Sequence, residues 1–267
     1  MSITITDEAA VRHIAINRPH ARNAVDPDTA TALFDAFVAY DSDPAAEVAV
    51  LSGDAAAFCA GFDLKAAAAG MADGWAKRHA IPEAWCDPAW EPLPSPMGPA
   101  RLQLQKPVIA AIEGPAVAGG MELALWCDVR IVGTSAYFGV FCRRWGVPLI
   151  DGGTVRLPRV VGAGRAADLI LSGRAVSADE ALNIGLANQV VPDGTALAAA
   201  KAYARDLMRY PQACMRADRA SMNLSGAELA QGLRREWQSA GLITGESREG
   251  AARFAGGKGR GGSFGDI

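Results

Sequence analysis

Half of the 267 residues are hydrophobic and 21% are charged, an ordinary globular composition with enough apolar material for a sizeable core. The formal charge of -3 argues against nucleic acid or an anionic membrane surface as the main partner. The first residues carry no basic segment followed by an apolar block, and no run approaches the roughly 20 apolar residues that span a bilayer, so neither a signal peptide nor a membrane partner is expected. The five cysteines (Cys59, Cys86, Cys127, Cys142, Cys214) are scattered without a CxxC pair, which points to reduced thiols in a reducing, cytoplasmic compartment. His13, His20 and His79 are not at metal-ligand spacing, so no metal site is expected.

Residues 2–6 and 11–16 read as a strand pair turning near Asp7-Glu8, followed by a loop at Asn17-Arg18-Pro19. Asp26-Pro27 has the form of an N-cap with proline at the first helical position, and Leu33, Phe34, Phe37 and Val38 give the helix an apolar face. Val48 to Leu51 is a buried-strand run closed by Ser52-Gly53, so strands and helices alternate as in a layered α/β core. At Phe58 to Lys65 an apolar end meets Gly61, then Asp63 opens an Ala-rich helical run. Taken alone this is a strand-to-helix turn; set beside a second glycine-marked turn, it would supply one of two backbone donors to a shared acceptor.

Residues 70–100 change character, with prolines at 82, 88, 92, 94, 96 and 99 and tryptophans at 75, 85 and 90. So long an irregular segment is expected to be a lid, a binding loop or a mobile stretch. Its aromatics either roof an apolar pocket or pack within the loop. Lys106 to Asp128 then reads as a buried strand at Pro107 to Ile112, a break at Gly114-Pro115, a tight turn at Gly119-Gly120, and a helix from Met121. Glu122 falls in the first helical turn, where free N–H groups favour an anion and the macrodipole favours an ionised carboxylate. A donor beside a carboxylate suits acyl chemistry, one holding a developing oxyanion and the other moving protons. The plainer alternative is a packing glycine pair and a capping glutamate.

Beyond it, 129–132 and 136–140 read as strands, and Val147 to Gly153 as a second glycine-rich turn. Asp151 there has either a perturbed proton affinity or the commoner task of capping the next helix. Helices are expected at 165–171 and at 177–184, the latter opened by Ser177-Ala178-Asp179-Glu180. From about residue 195 the pattern is wholly helical, with Leu197, Ala200, Ala204, Leu207 and Met208 on one face and Leu229, Leu233 and Trp237 on another. A boundary near Gly194 divides a 1–194 core from a 195–267 helical region whose Gly-rich tail is flexible by composition.

Together these residues resemble the crotonase (enoyl-CoA hydratase/isomerase) superfamily. The matching pieces are Asn17-Arg18-Pro19 with Asn23-Ala24, Phe58 to Leu64, Lys106 to Ile112 with Gly119 to Leu123, Gly152-Gly153 with Arg156-Leu157, Leu171-Ser172-Gly173, and Ala181 to Ala187. Each is loose alone; their order and spacing over roughly residues 3 to 254 are specific. The resemblance implies an α/β spiral of ββα units, a C-terminal helical trimerisation region, and a homotrimer or dimer of trimers. It implies an acyl-CoA substrate, with coenzyme A part of the substrate and no separate cofactor. The backbone N–H groups of Phe62 and Gly119 match the oxyanion hole, and Glu122 matches the first catalytic carboxylate. Ala21, Arg22, Ala60, Asp63 and Leu64 match the coenzyme A track, and Phe254 matches an aromatic at the adenine end.

One departure stands out. Counted back from Gly152-Gly153, the position of the hydratases' second glutamate is Cys142, and a thiol is a poor general acid at neutral pH. Asp151 is the acidic candidate to share the proton work with Glu122; otherwise it only fixes its turn and Glu122 works alone. The leading expectation is hydration of a 2-enoyl-CoA. Double-bond isomerisation and a non-catalytic acyl-CoA-binding scaffold are the alternatives, because a fold does not fix a function.

Overall fold

The computed structural model describes residues 1–68 and 74–259; of the Gly-rich tail expected over 256–262, the part from 260 onward lies outside the described residues. Strands β1 (Ile3–Glu8) and β2 (Val11–Ile16) pair antiparallel, with Ile3 opposite Ile16. Helix α1 (Pro27–Ser42) follows, capped by the Asp26 carboxylate, which accepts from the Thr29 N–H. Strand β3 (Val48–Ser52) returns parallel to β2. Two short helical turns, α2 (Leu64–Ala66) and α3 (Trp75–Arg78), precede strand β4 (Val108–Ile112). With β6 (Val129–Gly133) and β9 (Gln189–Val191), these strands form a six-stranded sheet in the order β1-β2-β3-β4-β6-β9.

Every residue of β3 and β4 is buried because the sheet is covered on both faces, which is why both read as unbroken apolar runs. Leu51, Ala110 and Ile112 face one layer with Leu33 and Phe37 of α1. Val48, Val50 and Ile109 face the other, where Ala196, Ala200 and Ala204 of helix α8 (Ala196–Leu207) pack against them. The four-residue alanine spacing lets α8 lie close on the sheet, so the first helix beyond residue 194 closes the second face of the core.

The break expected at Gly114-Pro115 is instead a change of sheet. Gly114 has φ +58 and a Cβ there would come 2.3 Å from the Ala56 carbonyl oxygen, so only glycine makes the corner. Pro115 then opens strand β5 (Pro115–Val117), a position where its missing N–H costs little. Strand β5 pairs with β7 (Tyr137–Gly139), and β7 with β8 (Ala175–Ser177), in a small second sheet.

Helix α4 (Gly119–Trp126) starts two residues earlier than expected, at Gly119 itself. The turn expected to run through Gly153 ends sooner, because Gly153 already opens helix α5 (Gly153–Val161); Gly152-Gly153 and the internal Pro158 both read as helix breakers in the sequence. Helices α6 (Ala163–Ser172), α7 (Ala178–Asn183), α9 (Gln212–Met222), α10 (Gly226–Trp237) and α11 (Glu246–Ala255) complete the chain. In the long loop, Trp85 is buried against Leu229 and Leu233 of α10, Trp90 is exposed, and the side chain of Trp75 lies outside the described residues.

Candidate active site

Two glycine turns meet where the sheets divide. Cys59 and Ala116 form a parallel bridge: the Cys59 N–H donates to Pro115 O at 3.0 Å and the Val117 N–H to Cys59 O at 3.0 Å. Gly61 follows at φ +92, and a Cβ on it would sit 2.9 Å from the Ala118 Cβ and 3.0 Å from the Gly119 nitrogen. The 59–63 turn can therefore close on the start of α4 only with glycine at 61. Ala118, the residue before Gly119, is held at φ 52 and ψ -125, a conformation that costs an L-residue free energy and that tends to mark functional sites. Its N–H donates to Gly139 O at 2.8 Å, tying the strained residue to β7.

These turns border a cavity of about 760 Å³, within the range of small-molecule sites. Phe62, Gly119, Glu122 and Asp151, expected from the sequence as the reacting groups, all line it. So do Ala21, Arg22, Ala60, Asp63, Leu64 and Phe254, expected along the coenzyme A track. Cys142 lines the same cavity from the 3-10 helix Phe141–Trp145.

Glu122 is buried, and its Oε1 accepts the N–H groups of Asp151 and Gly153, each at 2.9 Å. Burial first, then the charges of Asp151 and Glu236, push its carboxyl well above the ordinary range, against the pull of those two donors. Asp151 does not cap α5, whose N-cap is Gly152. Its Oδ1 accepts the Met97 N–H at 3.0 Å, so it holds the end of the long loop against the cavity. Burial raises Asp151 to about 6, opposed by hydrogen bonds from the 95–97 segment and by the charge of Arg101. Burial pushes the Cys142 thiol up to about 12, so it stays protonated at neutral pH. The cavity thus offers two neighbouring carboxyls that hold protons more tightly than usual, and a thiol that does not ionise. Such a pair can take a proton from one reacting atom and give one to another.

Asp63 has a second task. Its Oδ1 accepts from the Lys65 and Ala66 N–H groups at 3.1 and 3.3 Å, capping α2, and its Oδ2 pairs with Arg18 at 3.1 Å. Arg18 also pairs with Asp26 at 2.9 Å, so one guanidinium joins the caps of α1 and α2 and fixes the 21–24 turn between them. Phe254 meets Trp145 edge-on, with ring centroids 5.2 Å apart at 71°, which seats α11 against the cavity wall.

Sequence reasoning missed Met97 and Glu236. Met97 lines the cavity inside the proline-rich segment, where no periodicity singles it out. Glu236 did carry a signal: it lies three residues beyond Leu233 and seven beyond Leu229, a carboxylate on the apolar face of its helix.

The enoyl-CoA hydratase/isomerase family model matches residues 6–256. An enoyl-CoA hydratase of Mycobacterium tuberculosis, EchA19, is 37% identical over 191 residues, a match spanning 69% of this chain and 66% of that protein. A crotonyl-CoA hydratase of Syntrophomonas wolfei is 34% identical over 83% of this chain and 81% of its own. Among solved structures, a carnitinyl-CoA hydratase from Mycobacterium avium superposes with a TM-score of 0.77 at 30% identity, covering 96% of this chain and 95% of that one. The chain belongs to the enoyl-CoA hydratase/isomerase family.

Proposed function

We propose that this protein is a 2-enoyl-CoA hydratase, adding water across the double bond of an acyl-CoA thioester to give a 3-hydroxyacyl-CoA. The observation that carries the reading is the convergence of the Gly61–Phe62 and Ala118–Gly119 turns with Glu122 and Asp151 on one cavity. In this reading the backbone N–H groups of Phe62 and Gly119 form an oxyanion hole for the thioester oxygen, where charge develops as water attacks the β-carbon. Glu122 and Asp151 share the proton work: the ionised member of the pair takes the proton from the attacking water, and the protonated member delivers one to the α-carbon. One proton is taken up and one is given, so the carboxyl pair needs only an internal proton transfer to reset. Hydratase and dehydratase names among the similar proteins support this over isomerisation.

Coenzyme A enters as part of the substrate, along the 20–24 and 60–64 turns. Exposed Tyr203, Tyr210, Met222 and Leu242 in the helical region support burial of that surface in a homotrimer or a dimer of trimers. Five free thiols fit a reducing cytoplasm.

The test is optical. Crotonyl-CoA loses its conjugated absorbance on hydration, and the purified protein is expected to cause that loss. Glu122→Gln is expected to lower kcat by about 10²–10⁴-fold, and Asp151→Asn by about tenfold or more. Absorbance gained on a 3-enoyl-CoA would instead make it an isomerase, and binding without either change a scaffold. Unchanged turnover in Asp151→Asn removes that residue from the chemistry.

A further inference from the structure

At the start of α5 four consecutive backbone N–H groups, at 151 to 154, point to side-chain acceptors; those from the Gly152 cap onward are of the kind that a helix leaves without internal partners. Two carboxylates from different helices take them in alternation. Glu122 of α4 accepts from Asp151 and Gly153 at 2.9 Å each. Glu236 of α10 accepts from Gly152 at 2.6 Å through Oε2, and from the Thr154 N–H and hydroxyl at 2.7 and 2.8 Å through Oε1. Glu236 is buried, yet it is not among the described residues lining the cavity. We propose that Glu236 is a positioning residue of the reaction, fixing from α10 both the peptide that Glu122 grips and the aspartate that follows from it. This deepens the hydratase reading and rests on it.

A neutral acceptor would serve as well if capping were all that was needed. Placing a third carboxylate beside two others is costly, and the surrounding charges are arranged around that cost. Arg101, fully buried, lies with its guanidinium 4.6 Å from the ring centre of Trp237, the next residue of α10, and acts on both Asp151 and Glu236. Arg156 donates to Asp151 O at 3.2 Å and to Ala100 O at 2.8 Å, and faces all three carboxylates. The Cys142 thiol lines the same cavity and feels the charge of Glu122. Glu236 adds to the forces that keep protons on Glu122 and Asp151, while the charge of Arg101 opposes them at Asp151. A like charge held at fixed distance is a means of tuning a proton-transfer pair that a hydrogen bond alone lacks.

The experiment compares wild type with Glu236→Gln in crotonyl-CoA turnover from acid to alkaline pH. The proposal expects kcat to fall about tenfold with KM changed by less than about threefold. It also expects the limbs of the pH profile to move to lower pH by about 0.5–1, because loss of the negative charge lets both carboxyls release protons earlier. A rate loss equal at every pH, with the limbs in place, means a merely structural cap and overturns the proposal. A parallel infrared titration of ¹³C-labelled carboxyls in the unliganded protein needs no turnover. It reads the same downward shift even if the protein hydrates no enoyl-CoA, which separates failure of this inference from failure of the hydratase reading. If Glu236→Gln does not fold, Glu236→Asp keeps the charge but withdraws it by one methylene; the limbs are then expected to move to lower pH by a smaller amount, and a rate loss with the limbs in place overturns the proposal.

Discussion

Met97 lies over Gly119: a Cβ added to Gly119 would come within 2.5 Å of the Met97 sulfur. The same methionine donates its N–H to Asp151 at 3.0 Å. One buried residue of the long loop therefore sets both the roof above the start of α4 and the placement of the second carboxyl. Gly119→Ala is expected to push the thioether aside, displace the Gly119 N–H and lower kcat by about 10²-fold. The obstacle is a flexible side chain, so adding Met97→Ala gives the methyl room and is expected to restore about tenfold of that loss, at a stability cost of roughly 2–5 kcal/mol. Steady-state kinetics of the two single variants and the double variant, with thermal melts, measure both effects. Additive kinetic losses would disprove the steric link.

The Gly61 turn behaves differently, because its neighbours cannot yield. A Cβ at φ +92 would face the Ala118 Cβ at 2.9 Å, the Gly119 nitrogen at 3.0 Å and the Val117 carbonyl at 3.1 Å. Gly61→Ala is therefore expected to cost about 2 kcal/mol or more, lowering Tm by roughly 4–8 °C. Pairing it with Ala118→Gly removes one of the three contacts and relaxes the φ 52 backbone there. The pair is expected to recover part of the stability, with a coupling of about 0.5 kcal/mol or more read from a double-mutant cycle.

How much of this was legible in the sequence depended on whether burial left a pattern. Val48 to Leu51 and Val108 to Ile112 read as strands because both faces of the sheet are covered, and Asp26-Pro27 read as a helix start because capping is local chemistry. The glycines at 61 and 119 marked the two turns because only glycine fits at 61 and a Cβ at 119 would meet the Met97 thioether. Strands β5, β8 and β9 are three residues each, too short to show a period, and were not expected. Asp151 stands out as an acidic residue in a glycine-rich turn, but its bond to Met97 spans a proline-rich loop that carries no pairing signal. Glu236 was missed because an isolated glutamate in an amphipathic helix reads as solvent-facing until its place beside Leu229 and Leu233 is weighed.

Arg18 gives a prediction about binding rather than chemistry. Its guanidinium spans Asp26 at 2.9 Å and Asp63 at 3.1 Å, joining two helix caps across the turn that carries Ala21 and Arg22. Arg18→Ala leaves two neighbouring carboxylates without their shared cation, so the 20–24 turn loses its tie to Asp63. KM for an acyl-CoA is expected to rise about tenfold, with kcat within about threefold of wild type. Lysine presents one point charge and no fork, so Arg18→Lys is expected to recover less than half of the lost affinity in free-energy terms. A fall in kcat with KM unchanged would contradict this division of labour.

Asp151 gives the sharpest pH test of stability. Burial raises its carboxyl from 3.8 to about 6 in the folded chain, so folding favours the protonated form. Stability from this group is full below the unfolded value near 3.8 and is lost as pH rises through about 6. Above that the ionised buried carboxylate costs stability, on the order of 2–3 kcal/mol for a shift of this size. Asp151→Asn keeps an oxygen to accept the Met97 N–H and removes the charge. At pH 8 the variant is therefore expected to be more stable than wild type by about 1–3 kcal/mol, and the advantage should shrink toward zero as pH falls to about 4. Denaturant unfolding at pH 4, 6 and 8 measures it. A variant less stable than wild type at pH 8, or a gain that does not change with pH, would mean that the Asp151 charge is compensated in the fold by Arg101 and Arg156 more fully than its burial penalises it. A stabilised but slow Asp151→Asn protein is the signature of a buried carboxyl kept for chemistry at the expense of the fold.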